Sequence, residues 1–300
     1  MDGPEAVAPK PKPPPTVVET CTLPDVPPED DPDLEIDLDV VYASPKGQPQ
    51  HLDIARPKTK GPHPLVVFVH GGGWTSGSRK LFRKEIRRLA SIGYVAASID
   101  YRLANKPQNV FPAGIADVRC ALKFLRSEAK TYRLDPAHVA VIGASAGGHL
   151  AAMIGAQADD ATLDGPCPVQ GDAHVQAVVS YYGIYDLRTP KKSFTGKMPL
   201  AVQEFLGVEA ESAPALGVKV SPLLHVSKAM PPTLLLHGVE DTIIPVAQAR
   251  AMKTALGAAG VPSLLVEVDG KQGGHGFPLL VTTRPRVTCT TLAFLALELR

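Results

Sequence analysis

From Leu34 the chain alternates strictly, with Leu34, Ile36, Leu38, Val40 and Tyr42 on one face and mostly Glu35, Asp37 and Asp39 on the other. A period of two sends successive side chains to opposite sides of a pleated backbone, so this segment reads as a half-buried strand. A second short strand over 51–55 pairs with it, because the intervening PKGQP supplies turn chemistry. Six apolar runs follow: LVVFV (65–69), YVAASI (94–99), VAVIG (139–143), VQAVVSYY (175–182), TLLLHG (233–238) and SLLVEV (263–268). They are continuous enough to be strands covered on both faces. Between them lie helical patterns at 78–91, 112–130, 146–157, 245–259 and 284–299. Strand and helix in alternation predict an α/β fold, a mostly parallel sheet with helices on both faces.

The helix over 78–91 sets Phe82, Ile86 and Leu89 on one stripe and leaves six basic residues for its other faces, which read as solvated. Ten of the chain's 30 prolines fall in residues 1–32. Such a stretch has few backbone donors and little apolar surface, and is expected to be a disordered Pro-rich acidic tail ahead of a single domain over 33–300. Nine acidic residues and no Lys or Arg lie between Glu19 and Asp39, a run that reads as a solvated face. The start MDGPEAVAPKPK has neither the basic end nor the apolar stretch of a signal peptide. The chain as written reads as cytoplasmic; secreted or periplasmic is the alternative, since the tail resembles the linker that follows a removed export signal.

With 44% hydrophobic and 20% charged residues and a formal net charge of +1, the composition is that of a globular protein. It argues against a nucleic-acid binder, and no apolar run nears the roughly 18 to 20 residues of a transmembrane span. Cys21, Cys120, Cys167 and Cys289 are far apart and form no CxxC pair, so they read as isolated thiols rather than a zinc site or a disulfide scaffold. No histidines have metal-ligand spacing, and no metal or cofactor is expected. Nothing in the pattern sets an oligomeric state.

Residues 139–150, VAVIGASAGGHL, run from a buried strand through Gly143-Ala144-Ser145-Ala146-Gly147 into an apolar helix. A G-x-S-x-G segment in this context holds its serine hydroxyl out at the tip of a sharp turn, with glycine at the two crowded positions. The helix that starts there directs N–H groups and partial positive charge at the space above Ser145. Phosphate-loop patterns are absent. After the 65–69 strand come His70-Gly71-Gly72-Gly73-Trp74, whose glycines let successive amides turn towards one point and let a substrate carbonyl approach closely. Gly72, Gly73 and Ala146 are the expected oxyanion donors.

HGGGW (70–74), DYRLA (100–104), FPAGIADV (111–118), GASAGG (143–148) and HGVEDTIIP (237–245) occur in an order that resembles the α/β-hydrolase superfamily. Within it the chain is similar to hormone-sensitive-lipase-like and feruloyl or acetyl-xylan esterase-like carboxylesterases, over roughly residues 34–300. The resemblance implies an eight-stranded, mostly parallel sheet, with no large N-terminal cap because a proline tail is unfit to form one. It also implies a Ser, Asp, His order. Ser145 is then the nucleophile, Asp241 the acid after the TLLLHG strand, with Glu240 as its neighbouring alternative, and His275 the base after SLLVEV. Asp100 and Arg102 are expected to pair beside the site. Trp74 is expected to wall the pocket, with a core position as the alternative, and Gly183–Pro231 to supply the pocket rim.

The expected activity is that of a serine carboxylester hydrolase acting through an acyl-enzyme. An open site suits small-molecule or carbohydrate esters: short acyl chains, aryl esters and acylated sugars. Two other readings carry over: an amide-directed relative, an arylformamidase or peptidase, and a non-catalytic binding protein on a hydrolase scaffold.

Overall fold

The alternating segment forms β1 (Leu34–Ala43), which turns through Pro45–Gly47 into β2 (Gln50–Pro57), antiparallel from Leu34 opposite Pro57 to Ala43 opposite Gln50. The structure is a computed structural model and describes residues 12–269, 273–277, 279–280 and 284–300. The apolar runs form β3 (His63–Val69), β4 (Val95–Ile99), β5 (Leu134–Ala144), β6 (Ala177–Tyr181), β7 (Thr233–Gly238) and β8 (Ser263–Val268). All eight make one sheet in the order β1-β2-β4-β3-β5-β6-β7-β8. β2 meets β4 antiparallel, and each later pair is parallel. This is the expected eight-stranded, mostly parallel sheet.

The helices are α1 (Arg83–Ser91), α2 (Ala113–Ser127), α3 (Ala129–Tyr132), α4 (Ala146–Ala156), α5 (Pro190–Ser193), α6 (Met198–Leu206), α7 (Pro214–Lys219), α8 (Ala247–Ala258) and α9 (Pro285–Leu299). Because a strand's side chains alternate, Val66 and Phe68 of β3 pack with α1 and α9, whereas Leu65, Val67 and Val69 pack with α2 and α4. α8 packs over β7 and β8. No helix among the described residues is long and apolar enough to cross a membrane.

The 78–91 pattern divides into a 3-10 turn, Arg79–Phe82, and α1. Three of its six basic residues, Arg79, Arg87 and Arg88, are buried rather than solvated. Arg79 is drawn inward by Asp53 on β2, whose side chain is sealed from water and takes Arg79 Nε at 2.8 Å and Arg83 Nε at 2.7 Å. A buried carboxylate requires such partners. Arg87 donates to the Pro27 carbonyl and pairs with Glu29.

The tail and the cysteines both differ from expectation. Residues 12–32 have no helix or strand, yet they lie along α9 and α1 instead of standing free. Cys21 is disulfide-bonded to Cys289 of α9, Val18 N–H donates to Thr290 Oγ1 at 2.9 Å, and Lys12 Nζ donates to the Glu298 carbonyl at 3.0 Å. An extended, proline-rich chain that cannot form its own ladder can still be held by side chains and a cross-link. Residues 1–11 of the expected tail lie outside the described residues. The other two cysteines, Cys120 in α2 and Cys167, form a second disulfide, so none of the four is a free thiol.

Candidate active site

Ser145 occupies the tip between β5 and α4 with φ 55° and ψ −118°, a strained combination for a residue with a side chain. Crowding explains the flanking glycines. A Cβ on Gly143 would lie 2.0 Å from the Gly147 carbonyl oxygen, and one on Gly147 would lie 2.1 Å from the Val69 carbonyl oxygen. Ser145 N–H donates to Tyr181 O at 2.9 Å, which ties the turn to β6.

The loops after β7 and β8 bring two distant residues to this tip. His275 Nε2 lies 2.9 Å from Ser145 Oγ, and its Nδ1 lies 2.7 Å from Asp241 Oδ2. Asp241 Oδ1 accepts the N–H groups of Ile243 at 2.9 Å and Ile244 at 2.8 Å. Burial alone would raise the Asp241 pKa, but hydrogen bonds from His237, His275 and Ile244 outweigh it and hold the carboxyl well below the usual carboxylate range. An ionised Asp241 can only accept, so His275 carries its proton on Nδ1 and turns the Nε2 lone pair to the Ser145 hydroxyl. The edge of Tyr182 packs against the imidazole, with ring centroids 4.9 Å apart. Glu240, the neighbouring alternative, is exposed, whereas Asp241 is buried.

Gly71, Gly72 and Gly73 line the same cavity as Ser145 and His275. Gly72 at φ 118° and Gly73 at φ 59° use backbone regions that favour glycine, and the Gly72 carbonyl is tied down by the N–H groups of Thr75 and Ser76. Among the described residues, the N–H groups of Gly72, Gly73 and Ala146 find no acceptor. Ala146 is the first residue of α4 and is fully buried behind Ser145.

The cavity, of about 880 Å³, is lined further by Leu81, Phe82, Tyr182, Phe277 and Leu279 and by Thr195–Met198, Ala201 and Ile243. The Gly183–Pro231 segment thus supplies part of the rim. Sequence reasoning missed Glu85, which reaches the wall from α1; burial raises its pKa, and its Oε2 has no hydrogen-bond partner among the described residues. Its place in a heavily basic helix gave no signal. His237, near the end of β7, donates Nε2–H to Ile244 O at 2.8 Å and lies 3.4 Å from Asp241 Oδ2.

Two expectations are corrected. Trp74 does not wall the cavity: it is 1% exposed, stacked on Phe205 of α6 at 4.6 Å, and donates Nε1–H to His149 Nδ1. Its large apolar ring and single donor are both satisfied inside the core. Asp100 and Arg102 do not pair. Asp100 takes the backbone and guanidinium of Arg79, whereas Arg102 makes a buried fork to Asp117. A fully desolvated guanidinium needs a partner that is itself buried, and Asp117 in α2 meets that condition.

This sheet, serine turn and glycine loop define an α/β-hydrolase fold. The chain belongs to the BD-FAE family, whose profile matches residues 52–256. It is 37% identical to esterase LipC of Mycobacterium tuberculosis over 81% of this chain and 61% of that protein. It is 32% identical to esterase LipQ of the same organism over 85% of this chain and 60% of that protein. The chain therefore spans about 60% of the length of these curated relatives. Thermogutta terrifontis esterase 2 phosphonylated by sarin has the same fold, with a TM-score of 0.70, 27% identity, and 89% of this chain and 92% of that one covered.

Proposed function

We propose that the protein is a serine carboxylester hydrolase that works through an acyl-enzyme. The observation that carries this reading is the chain of contacts from Asp241 through His275 to Ser145 Oγ, opening on a largely apolar cavity. As Ser145 Oγ attacks the ester carbonyl carbon, its proton passes to His275 Nε2. The carbonyl π pair moves onto oxygen, where the N–H groups of Gly72, Gly73 and Ala146 stabilise it. Collapse expels the alcohol, which takes the proton back from His275 and leaves an ester on Ser145. Water repeats the sequence and frees the acid. Each amide donor of this kind lowers the barrier by about 2.7–4 kcal/mol.

An apolar cavity bounded by aromatic and leucine side chains suits short acyl chains and aryl or acylated-sugar esters. Residues 33–300 constitute the catalytic unit in this reading. Two disulfides persist only where thiols are oxidised, which supports a secreted or periplasmic setting rather than the cytoplasmic one. The sarin adduct of the Thermogutta esterase supports a reactive serine in this fold.

The test is Ser145→Ala assayed on 4-nitrophenyl acetate, with a phosphonate label mapped by mass spectrometry. Loss of kcat/KM by roughly 10⁴-fold or more with unchanged melting temperature is expected, as is labelling confined to Ser145 in the parent. Near-parental turnover by the variant overturns the assignment.

A further inference from the structure

The oxyanion donors proposed above come from two separate stretches of chain: Gly72 and Gly73 follow β3, whereas Ala146 opens α4. Their relative position to within a fraction of an ångström decides whether they can act on one oxygen. Trp74 directly follows Gly73, and His149 lies one helical turn beyond Ser145, with its own N–H bonded to Ser145 O at 3.0 Å. Trp74 Nε1–H donates to His149 Nδ1 at 3.2 Å, joining the two stretches. We propose that this hydrogen bond is the brace that keeps the two halves of the oxyanion site in register, making Trp74 and His149 positioning residues for the hydrolysis. The inference rests on the ester-hydrolase reading.

The chemistry of the contacts fixes the state of the ring. An indole N–H only donates and a carbonyl oxygen only accepts. His149 meets the first at Nδ1 and the second, Val220 O, at Nε2 with 2.7 Å, so its proton sits on Nε2 and its lone pair faces Trp74. Burial favours the neutral ring, pushing the His149 pKa down to about 4. Phe205 completes the brace by stacking on Trp74 and setting its edge to His149 at 5.6 Å. Trp74 is also held at φ 61°, a conformation that a bulky residue keeps only when its surroundings impose it. A surface histidine offers no comparable constraint; this one is 0% exposed and fully bonded.

Trp74 is the only tryptophan in the chain, so tryptophan emission reports on this one position and its contacts with His149 and Phe205. The experiment compares the parent with Trp74→Phe, His149→Phe, the double variant and His149→Gln, whose amide can accept from the indole and donate to Val220 O. With 4-nitrophenyl acetate, each Phe variant is expected to lower kcat by roughly 10- to 100-fold with KM little changed, the size of a misplaced oxyanion site. The double variant should be no worse than either single one, because both remove the same bond. His149→Gln should recover most of the lost kcat and the parental emission spectrum. Additive losses, a change in KM alone, or an altered emission spectrum with unchanged kcat overturns the brace. Should a Phe variant fail to fold, His149→Gln against the parent still decides: emission and kcat both near parental support the brace, whereas parental emission with kcat lowered tenfold or more overturns it. Absence of ester hydrolysis in the parent, by contrast, removes the hydrolase reading, and the emission comparison then tests the bond by itself.

Discussion

His275 Nδ1 lies 2.7 Å from Asp241 Oδ2, on a carboxylate whose other oxygen is held by two backbone N–H groups of the loop after β7. The carboxylate is therefore fixed before it orients the imidazole. Asp241→Asn presents an amide that can donate to Nδ1 and so selects the tautomer with the proton on the wrong nitrogen. We expect kcat to fall by about 10⁴-fold with a small change in melting temperature, measured by ester turnover and thermal unfolding side by side. A loss below tenfold removes Asp241 from the mechanism.

The serine turn predicts a strong contrast between two glycines. Gly147→Ala forces a methyl group to within 2.1 Å of the Val69 carbonyl oxygen, where only backbone can yield. A loss of about 3 kcal/mol or more and collapse of activity are expected. Gly257 in α8 has nothing within 4 Å of the added methyl, so Gly257→Ala should stabilise by roughly 0.5–1 kcal/mol. Urea midpoints of the two variants give the comparison, and equal shifts contradict it.

Acid should weaken the fold through His149. The folded imidazole resists its proton down to about pH 4, whereas the unfolded one binds it near its ordinary value of 6.5. Between these values the unfolded chain holds more protons, so the contribution is complete above pH 6.5 and disappears as pH falls towards 4. From pH 7 to pH 5 the loss amounts to roughly 2 kcal/mol. Denaturant titrations at both pH values should show it in the parent and a smaller drop in His149→Gln. Identical drops in both proteins assign the acid sensitivity to other groups.

The disulfides predict inert thiols and a measurable cross-link. Alkylation without reductant should modify none of the four cysteines, and after reduction all four should react. Removing Cys120 and Cys167 together frees a loop of 47 residues, for which chain entropy predicts a loss of about 4 kcal/mol. Cys21→Ser should leave residues 12–32 open to proteolysis at a lower protease concentration than in the parent.

The strands and helices were legible because burial imposes periods of two and 3.6 on a linear chain; β7 and β8 match their apolar runs, whereas β5 begins at Leu134, five residues ahead of its run. Ser145 and its glycines were legible for a different reason: a turn that crowded admits few residue types, so the constraint is written locally. A helix boundary slipped as well. The 78–91 helix begins as a 3-10 turn, where Arg79 reaches inward to Asp53 on β2 and to Asp100 just after β4.

By itself, then, the sequence determined the alternating elements, the serine turn and the order of the polar residues that follow it. Only the tertiary structure decided that Trp74 turns into the core towards His149, that Arg102 chooses Asp117 over Asp100, that Cys21 meets Cys289, and that Glu85 enters the cavity wall. Each of these is a choice of partner between residues distant in sequence. Periodicity tells a side chain which face it occupies, whereas its partner is fixed by which buried donor, acceptor or ring the packed elements bring within a few ångströms.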